Sequence, residues 1–263
     1  MSGNNKYDYR REEMAILRDN ASNVHPYAHD YELDQIETAN SLGAINPLSS
    51  MSGSLLFSQL VLSKKGITEA NGKRQLDILA GLLILVMASP IMIITMLLIW
   101  LSTFGRDPIF YQQLRVGCKG REFYVLKFRS MKVDAEKYGP QMAAQSDDRV
   151  TRIGRFIRAT RIDELPQLLN VLKGEMSLVG PRPERPEFVS KFQRQIKGYS
   201  LRHQVKPGIT GWAQVRYPYG ETVEDAANKL YYDLSYIRRN SLWLDIMIIL
   251  QTIPVVLTGH GAR

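Results

Sequence analysis

The sequence predicts an α-rich α/β protein: a membrane-embedded re-entrant helical hairpin followed by a small cytosolic α/β domain that carries amphipathic interfacial helices. Three observations predict it. An uncharged run from Ile78 to Leu101 has Ser89-Pro90 at its middle, two strand-like segments flank a glycine turn after it, and helical periodicities rich first in arginine and then in leucine come later. The divisions drawn from this pattern are a polar leader over residues 1–70, the hydrophobic element over 71–105, and a folded domain over 106–263.

The leader is charged at first and then rich in Asn, Ser and Gly. Its one apolar patch runs from Leu55 to Leu62, a composition that predicts disorder with at most one short helix. The opening twenty residues contain no apolar run, so no cleavable signal peptide is expected there and the bulk of the chain is placed in the cytosol. His25 and His29 have the spacing of a helical metal pair, but Pro26 between them argues against a continuous helix and no third ligand stands nearby.

The hydrophobic run is long enough, at ~1.5 Å per residue, to cross a ~30 Å hydrocarbon core. A straight spanning helix is one reading. The other rests on two features. Pro90 removes a backbone hydrogen bond and frees the carbonyl four residues earlier, which the Ser89 hydroxyl can satisfy. Lys64, Lys65, Lys73 and Arg74 precede the run while Arg106, Arg115, Lys119 and Arg121 follow it, so the basic charge is not biased to one side as a spanning helix would show.

Pro108–Leu114 and Glu122–Met131 read as two strands around the Gly117-to-Gly120 turn, with Val125, Lys127 and Arg129 on one face of the second. That face is either solvated or an anion site. Val150–Thr160 reads as a cationic amphipathic helix, with Ile153, Phe156 and Ile157 opposite Arg152, Arg155 and Arg158; it either lies in a membrane interface or packs on the core. Leu165, Leu168, Leu169 and Leu172 mark a further helix that ends at Lys173-Gly174. Leu242–Leu257 is apolar but short and interrupted, so it is interfacial or core-packed.

Net charge is +8, from 34 Lys and Arg against 26 Asp and Glu, and it points to an anionic partner. Cys118 is the sole cysteine, which excludes an internal disulfide and any multi-cysteine zinc site. The densest chemistry lies from Arg158 to Pro183. Asp163 stands where a helix N-cap would, and a carboxylate there beside Arg158 and Arg161 stays ionised close to an anion site, a location that suits a nucleophile attacking phosphate. Arg182, held between Pro181 and Pro183, presents its planar fork with little entropy to lose; a proline-rich connector is the plainer reading. Two competing acidic strings are Asp134-Ala135-Glu136, which has the form of a D-x-D metal clamp, and Asp147-Asp148. No P-loop, dinucleotide, zincin or hydrolase string occurs.

From about Lys73 to Leu257 the chain resembles the bacterial sugar transferases, the monotopic polyprenyl-phosphate sugar-1-phosphate transferases. KRQLD ahead of the Ser-Pro-interrupted run, LKFRSM, RIDELPQLLNVLKGEMSLVGPRP, and KPGITGWAQV followed by YYDLSYI carry the resemblance in that order. It implies transfer of a sugar-1-phosphate from a UDP-sugar to undecaprenyl or another polyprenyl phosphate with release of UMP, the first membrane step of exopolysaccharide or O-antigen-type glycan assembly. It further implies Asp163 as nucleophile through a covalent phosphosugar intermediate, Glu164 assisting Mg²⁺ or the leaving group, and both carboxylates as metal ligands. Lys127, Arg129, Arg158 and the Pro181-Arg182-Pro183 arginine would meet phosphate or nucleotide, Glu221 and Asp233 match later acidic positions, and Ser89-Pro90 match the break that makes the hairpin re-enter. The implied setting is the bacterial inner membrane with the domain on its cytosolic face, homo-oligomers possible and nucleic acid no partner. A metal-dependent glycosyltransferase using Asp134 and Glu136, which would release UDP, and a non-catalytic membrane-anchored scaffold are the rival readings.

Overall fold

The computed structural model of the chain describes residues 70–137, 139, 147–217, 220 and 222–257. The polar leader, its apolar patch, His25, His29 and Glu221 lie outside the described residues.

The hydrophobic run forms a single helix, α1 (Lys73–Ser102), which continues through Ser89-Pro90. Helical conformation thus carries through the position where a division into two halves was expected. Proline leaves the Val86 carbonyl without its usual donor, and the Ser89 hydroxyl donates to that carbonyl at 2.8 Å, as the sequence suggested it could. Among the described residues α1 is the one helix long and apolar enough to cross a membrane.

One narrow face of α1 is covered from end to end. Lys73, Asp77, Gly81, Met92, Thr95 and Ile99 are buried, and Leu85 and Ala88 pack against the domain between them, all at the spacing of a helical stripe. Outside that stripe the side chains are large, apolar and exposed, Leu79, Leu83, Val86 and Met87 among them. The start of α1 is fastened by polar contacts. Lys73 Nζ donates to an Asp245 carboxylate oxygen at 2.7 Å and to the Val179 carbonyl at 3.0 Å; Asp77 accepts from Ser177 Oγ at 3.0 Å and Leu178 N at 2.9 Å. Arg74 donates to the Val171 and Leu172 carbonyls at 2.6 and 2.8 Å, at the negative end of a helix described below. Lys73 and Arg74 are thus internal partners rather than free flanking charges, and the balance of flanking charge loses two of its cations.

Beyond α1, strands β1 (Phe110–Val116) and β2 (Glu122–Phe128) form an antiparallel hairpin that pairs Tyr111 with Lys127 and Gln113 with Val125. The expected first strand is displaced by two residues and the second ends earlier, with Met131 making an isolated bridge to Val150 instead. The faces of β2 enter different clusters: Val125 joins the main core, and Phe128 joins a smaller one with Met92, Ile99 and Ile157.

Helix α2 (Arg152–Ala159) begins at Thr151, whose side chain accepts from Gly154 N. It buries Ile157 and leaves Phe156 exposed, so its apolar side is shared between core and surface. Helix α3 (Gln167–Lys173) ends at Gly174, whose φ of 87° is the left-handed conformation glycine adopts without strain, at the boundary the leucine spacing predicted. Strand β3 (Ser177–Val179) pairs in parallel with β4 (Gly208–Thr210), and these three-residue strands were not legible from alternation. A Cβ on Gly180 or Gly208 would collide with the facing backbone, so the two glycines let the segments meet.

Helix α4 (Pro186–Gln195), the short α5 (Trp212–Arg216), α6 (Val223–Arg239) and α7 (Leu242–Leu257) complete the fold. A reciprocal capping box between Thr222 and Asp225 starts α6. The main core gathers Val171, Met176, Val189, Leu230, Leu234 and Tyr236. Helix α7 turns Leu244, Asp245 and Ile248 inward and leaves Trp243, Leu250 and Ile253 exposed, so it is core-packed on one side and apolar on the other.

Candidate active site

The charged residues singled out from the sequence converge on one cavity of about 1050 Å³. Lys127, Arg129, Arg158, Asp163, Glu164, Arg182 and Asp233 all line it. Lysine and arginine far outnumber aspartate and glutamate along its wall, which makes it a natural receptor for a multiply charged anion.

The chain reaches the acidic dyad through a local reversal. After α2, Arg161 takes a left-handed conformation (φ 59°), and a 3₁₀ turn, Ile162–Glu164, sets both carboxylates at the cavity before α3 begins. Asp163 is therefore not a helix N-cap: it lies inside the 3₁₀ turn, and the N-cap position of α3 is Pro166. Asp163 is 8% exposed.

The two carboxylates are driven apart in acidity. Burial pushes Asp163 up to about 6, opposed by Lys127, Arg158 and Arg182 and reinforced by Glu164. Burial also opposes ionisation of Glu164, but Arg182 and Lys127 outweigh it and hold that carboxyl well below the usual range. The geometry explains the difference. Glu164 Oε1 accepts from Lys127 Nζ at 2.9 Å and from Arg182 Nη2 at 2.6 Å, while Arg182 Nη1 reaches Oε2 at 3.4 Å. Lys127 is thus a paired, half-buried cation and not part of a solvated strand face.

The Gly180-Pro181-Arg182-Pro183 segment is pinned along its backbone. The Pro181 carbonyl accepts from Gly208 N, that of Arg182 from Arg202 Nη2, that of Pro183 from Arg115 Nη1 and that of Glu184 from Val116 N, each at 2.9 Å. Proline supplies no N–H, so beyond Gly180, whose N–H donates to the Thr210 carbonyl at 2.9 Å, the carbonyls carry the attachment. Pro181 and Pro183 set the segment's course outside the main cavity, against a small void near His203, while Arg182 lines both. Asp233 is 2% exposed and bonds to Arg202 Nε at 2.9 Å. Burial raises its carboxyl and Arg202 opposes the rise. Its link to Arg182 runs through Arg202, which also donates to Tyr199 Oη at 2.9 Å.

Arg129 lines the cavity with its guanidinium engaged, donating to the Pro108 carbonyl at 2.7 Å and lying 5.7 Å from the centre of the Tyr111 ring. Sequence reasoning missed Arg202 and Arg185 and took Arg115 only as a flanking charge; the three-dimensional pairing places them at the site, because scattered arginines form no motif.

One carboxylate of each competing acidic string is held by an arginine. Glu136 lines the cavity, but both its oxygens accept from Arg185, at 2.7 and 3.3 Å, while Asp134 is exposed. Asp147 is held by Arg149 at 2.6 and 2.8 Å. No trio of His, Cys, Asp or Glu suited to a metal occurs among the described residues. Two protein carboxylates nonetheless meet the usual protein share of a magnesium site completed by substrate phosphate and water. Asp163 is the better placed oxygen donor, because Glu164 would first have to give up Lys127 or Arg182.

A buried carboxylate in a cationic cavity, beside a long apolar helix, defines an anion site at a membrane-suited surface. The chain belongs to the bacterial sugar transferase family, whose model matches residues 68–259. It is 50% identical over 191 residues to a UDP-N-acetylgalactosamine-undecaprenyl-phosphate N-acetylgalactosaminephosphotransferase of Aeromonas hydrophila, covering 73% of this chain and 45% of that protein. It is 45% identical over 183 residues to the UDP-glucose:undecaprenyl-phosphate glucose-1-phosphate transferase of Escherichia coli K12, covering 69% and 39%. A protein of the latter description from Caulobacter vibrioides is 43% identical over 192 residues, covering 72% and 71%. The chain thus spans less than half the length of the first two.

Proposed function

We propose that this chain moves a sugar-1-phosphate from a UDP-sugar to a polyprenyl phosphate, releasing UMP, with Asp163 as the nucleophile. The observation that carries the proposal is the division of labour in the dyad: Glu164 is locked by Lys127 and Arg182, while Asp163 lines the cavity with a carboxyl near 6, ionised at neutral pH yet desolvated enough to react. The relatives' names supply the substrate classes, and they differ in the sugar.

An Asp163 carboxylate oxygen attacks the sugar-bearing β-phosphorus; the bond from that phosphorus to the bridging oxygen breaks, and UMP departs with the electron pair. A phosphate oxygen of the lipid then attacks the same phosphorus, the acyl-phosphate bond breaks, and the carboxylate returns as polyprenyl-diphosphate-sugar leaves. Arg158 and Arg182 offset charge on the phosphoryl oxygens, and Lys127 keeps Glu164 ionised at the edge of the site. Mg²⁺, held by Asp163 and by Glu164 after exchange, would supply further neutralisation of the diphosphate.

The attachment of α1 supports placing both its ends on one side of the bilayer. Lys73 and Asp77 at its start and Met92 and Ile99 near its end pack on the same domain, which a helix whose end lay across the membrane could not do. As part of this proposal the helix takes a re-entrant course, and its domain is assigned to the cytosolic face of the inner membrane. This course puts the cavity at headgroup level, within reach of a soluble nucleotide and a lipid phosphate.

The test is a radiolabel assay in membranes with polyprenyl phosphate and Mg²⁺ across several UDP-sugars. UMP with label in the lipid fraction is the expected result. UDP as the product would move the assignment to the metal-dependent glycosyltransferase, against which the Glu136–Arg185 pairing argues, and no turnover would move it to a scaffold.

A further inference from the structure

Helix α6 presents one face to the cavity: Thr222 at its cap, then Ala226, Lys229 and Asp233. Asp233 already has a part there, since it holds Arg202 behind Arg182. Lys229 stands one turn before it and is not among the charged positions singled out from the sequence. Its Nζ donates to the Gly220 carbonyl at 2.6 Å; an ammonium has three donors, and that contact takes one. Burial lowers its pKa, Glu184 and Asp225 favour the charged form, and Arg202 and Arg182 oppose it. Arg182 also acts on Asp163, together with Lys127 and Arg158, so it links the surroundings of the nucleophile to those of Lys229.

We propose that Lys229 is a further catalytic residue, taking up the charge that gathers on the α-phosphate of UMP as it departs. The inference rests on the reading of Asp163 as nucleophile toward a UDP-sugar. When the carboxylate attacks, its negative charge is consumed in the acyl-phosphate bond. The bridging oxygen leaves with the electron pair, so the α-phosphate goes from one negative charge to two. Attacking and leaving oxygens lie roughly in line on opposite sides of the phosphorus, so the charge moves away from the carboxylate during the step. Lys127 and Arg158, which act on Asp163, suit the charge at its start; a further cation is needed where the charge ends. Arg182 is engaged with both oxygens of Glu164. Lys229 lines the same cavity close to Arg182, and the Gly220 carbonyl orients its ammonium without cancelling the charge.

The test follows UMP release in a single turnover by the full-length chain in lipid nanodiscs, with no polyprenyl phosphate present and the same panel of UDP-sugars at saturation. Lys229→Gln keeps an N–H for the Gly220 carbonyl and removes the charge. It should release UMP roughly 10²-fold more slowly, and Lys229→Arg, which keeps a cation, should recover most of that rate. A Lys229→Gln rate equal to the parent's, with only the half-saturating donor concentration raised, would make Lys229 a brace for Gly220 and overturn the proposal. Equal losses in the two variants would overturn it as well. If Lys229→Gln does not fold, the pH profile decides: release by the parent should slow at alkaline pH as the ammonium deprotonates, release by Lys229→Arg should not, and a decline shared by both overturns the proposal. Absence of UMP from the parent with every UDP-sugar would refute the proposed function and this inference with it, whereas UMP release insensitive to the variants refutes this inference alone.

Discussion

Arg202 donates from Nη2 to the main-chain carbonyl of Arg182 at 2.9 Å, and Asp233 holds Arg202 through Nε at the same distance. The three form a relay in which a carboxylate that need not touch substrate fixes the backbone behind an arginine that lines the cavity. Asp233→Asn removes the compensating charge from a buried guanidinium, an omission that costs about 3–5 kcal/mol. The variant should melt at a distinctly lower temperature and show a raised KM for the nucleotide-sugar. An unshifted melting midpoint in nanodiscs would refute the structural half of this account.

Asp163 yields a prediction with two opposite signs. A carboxyl at its ordinary 3.8 in the unfolded chain and raised to about 6 in the folded one contributes stability that is present below 3.8 and lost as pH rises through 6. At pH 7 its ionisation costs up to about 3 kcal/mol of stability. Asp163→Asn should therefore abolish turnover and raise the melting temperature together, whereas general damage would lower both. In the wild-type enzyme kcat/KM should climb about tenfold per pH unit below pH ~6 and level off above it, because the ionised form attacks. A profile flat from pH 5 to 8 would remove Asp163 from the nucleophile's role.

Arg182 links the dyad to the open cavity, pairing with Glu164 while lining the cavity wall. Arg182→Ala should lower kcat/KM for the UDP-sugar by roughly 10²–10³-fold, the effect of losing one charge contact to the reacting phosphoryl group, with a much smaller change in binding of the lipid phosphate. Equal losses toward donor and lipid would sink the assignment. Arg182→Lys should recover little, because a single ammonium cannot reproduce the contacts that the guanidinium makes with both oxygens of Glu164.

Helical periodicity made the long apolar helix and α3 legible, and the C-terminal glycine of α3 stood where its leucine spacing ended. Clustering of charge in RIDELP and GPRP brought Asp163, Glu164 and Arg182 to one place on the page as in the fold. The rest depended on pairing across long separations. Alternation cannot reveal three-residue strands such as β3 and β4, whose closeness comes from Gly180 and Gly208. Nor could charge counting reveal that Lys73 belongs to Asp245, 172 residues away, so cations that look like topology signals turned out to be internal fasteners. The N-cap reading of Asp163 failed because the left-handed Arg161 inserts a 3₁₀ turn before the helix, and nothing in the residue types announces that turn.

The Lys73–Asp245 pair, with side chains 2% and 1% exposed, makes the attachment of α1 testable by charge removal. Lys73→Met leaves the Asp245 carboxylate buried without its cation and should cost about 3–5 kcal/mol, while Lys73→Met with Asp245→Leu should recover a large part of that loss. Tyr236, which donates to the other Asp245 oxygen at 2.8 Å, keeps the Val179 carbonyl at 3.2 Å as an acceptor in the double variant, so its hydroxyl does not block the recovery. A double variant no more stable than the single one would mean that the pair does not act as a unit.

Pro90 is exposed on α1, and the carbonyl it frees is capped by Ser89, so the pair forms a device that permits a bend without leaving a polar group unsatisfied in an apolar setting. In Pro90→Ala the new N–H competes for the Val86 carbonyl and restores the regular ladder, which favours a straight helix. With Cys118→Ser as background and a cysteine placed at Thr103, a membrane-impermeant thiol reagent should label the parent from the cytosolic side and Pro90→Ala from the opposite side. Ser89→Ala alone should leave the labelling side unchanged and lower stability by about 1 kcal/mol, since the freed carbonyl then lacks its donor. If Pro90→Ala labels from the parent's side, the polar and packed contacts from Lys73 to Ile99 hold both ends to the domain without help from the proline.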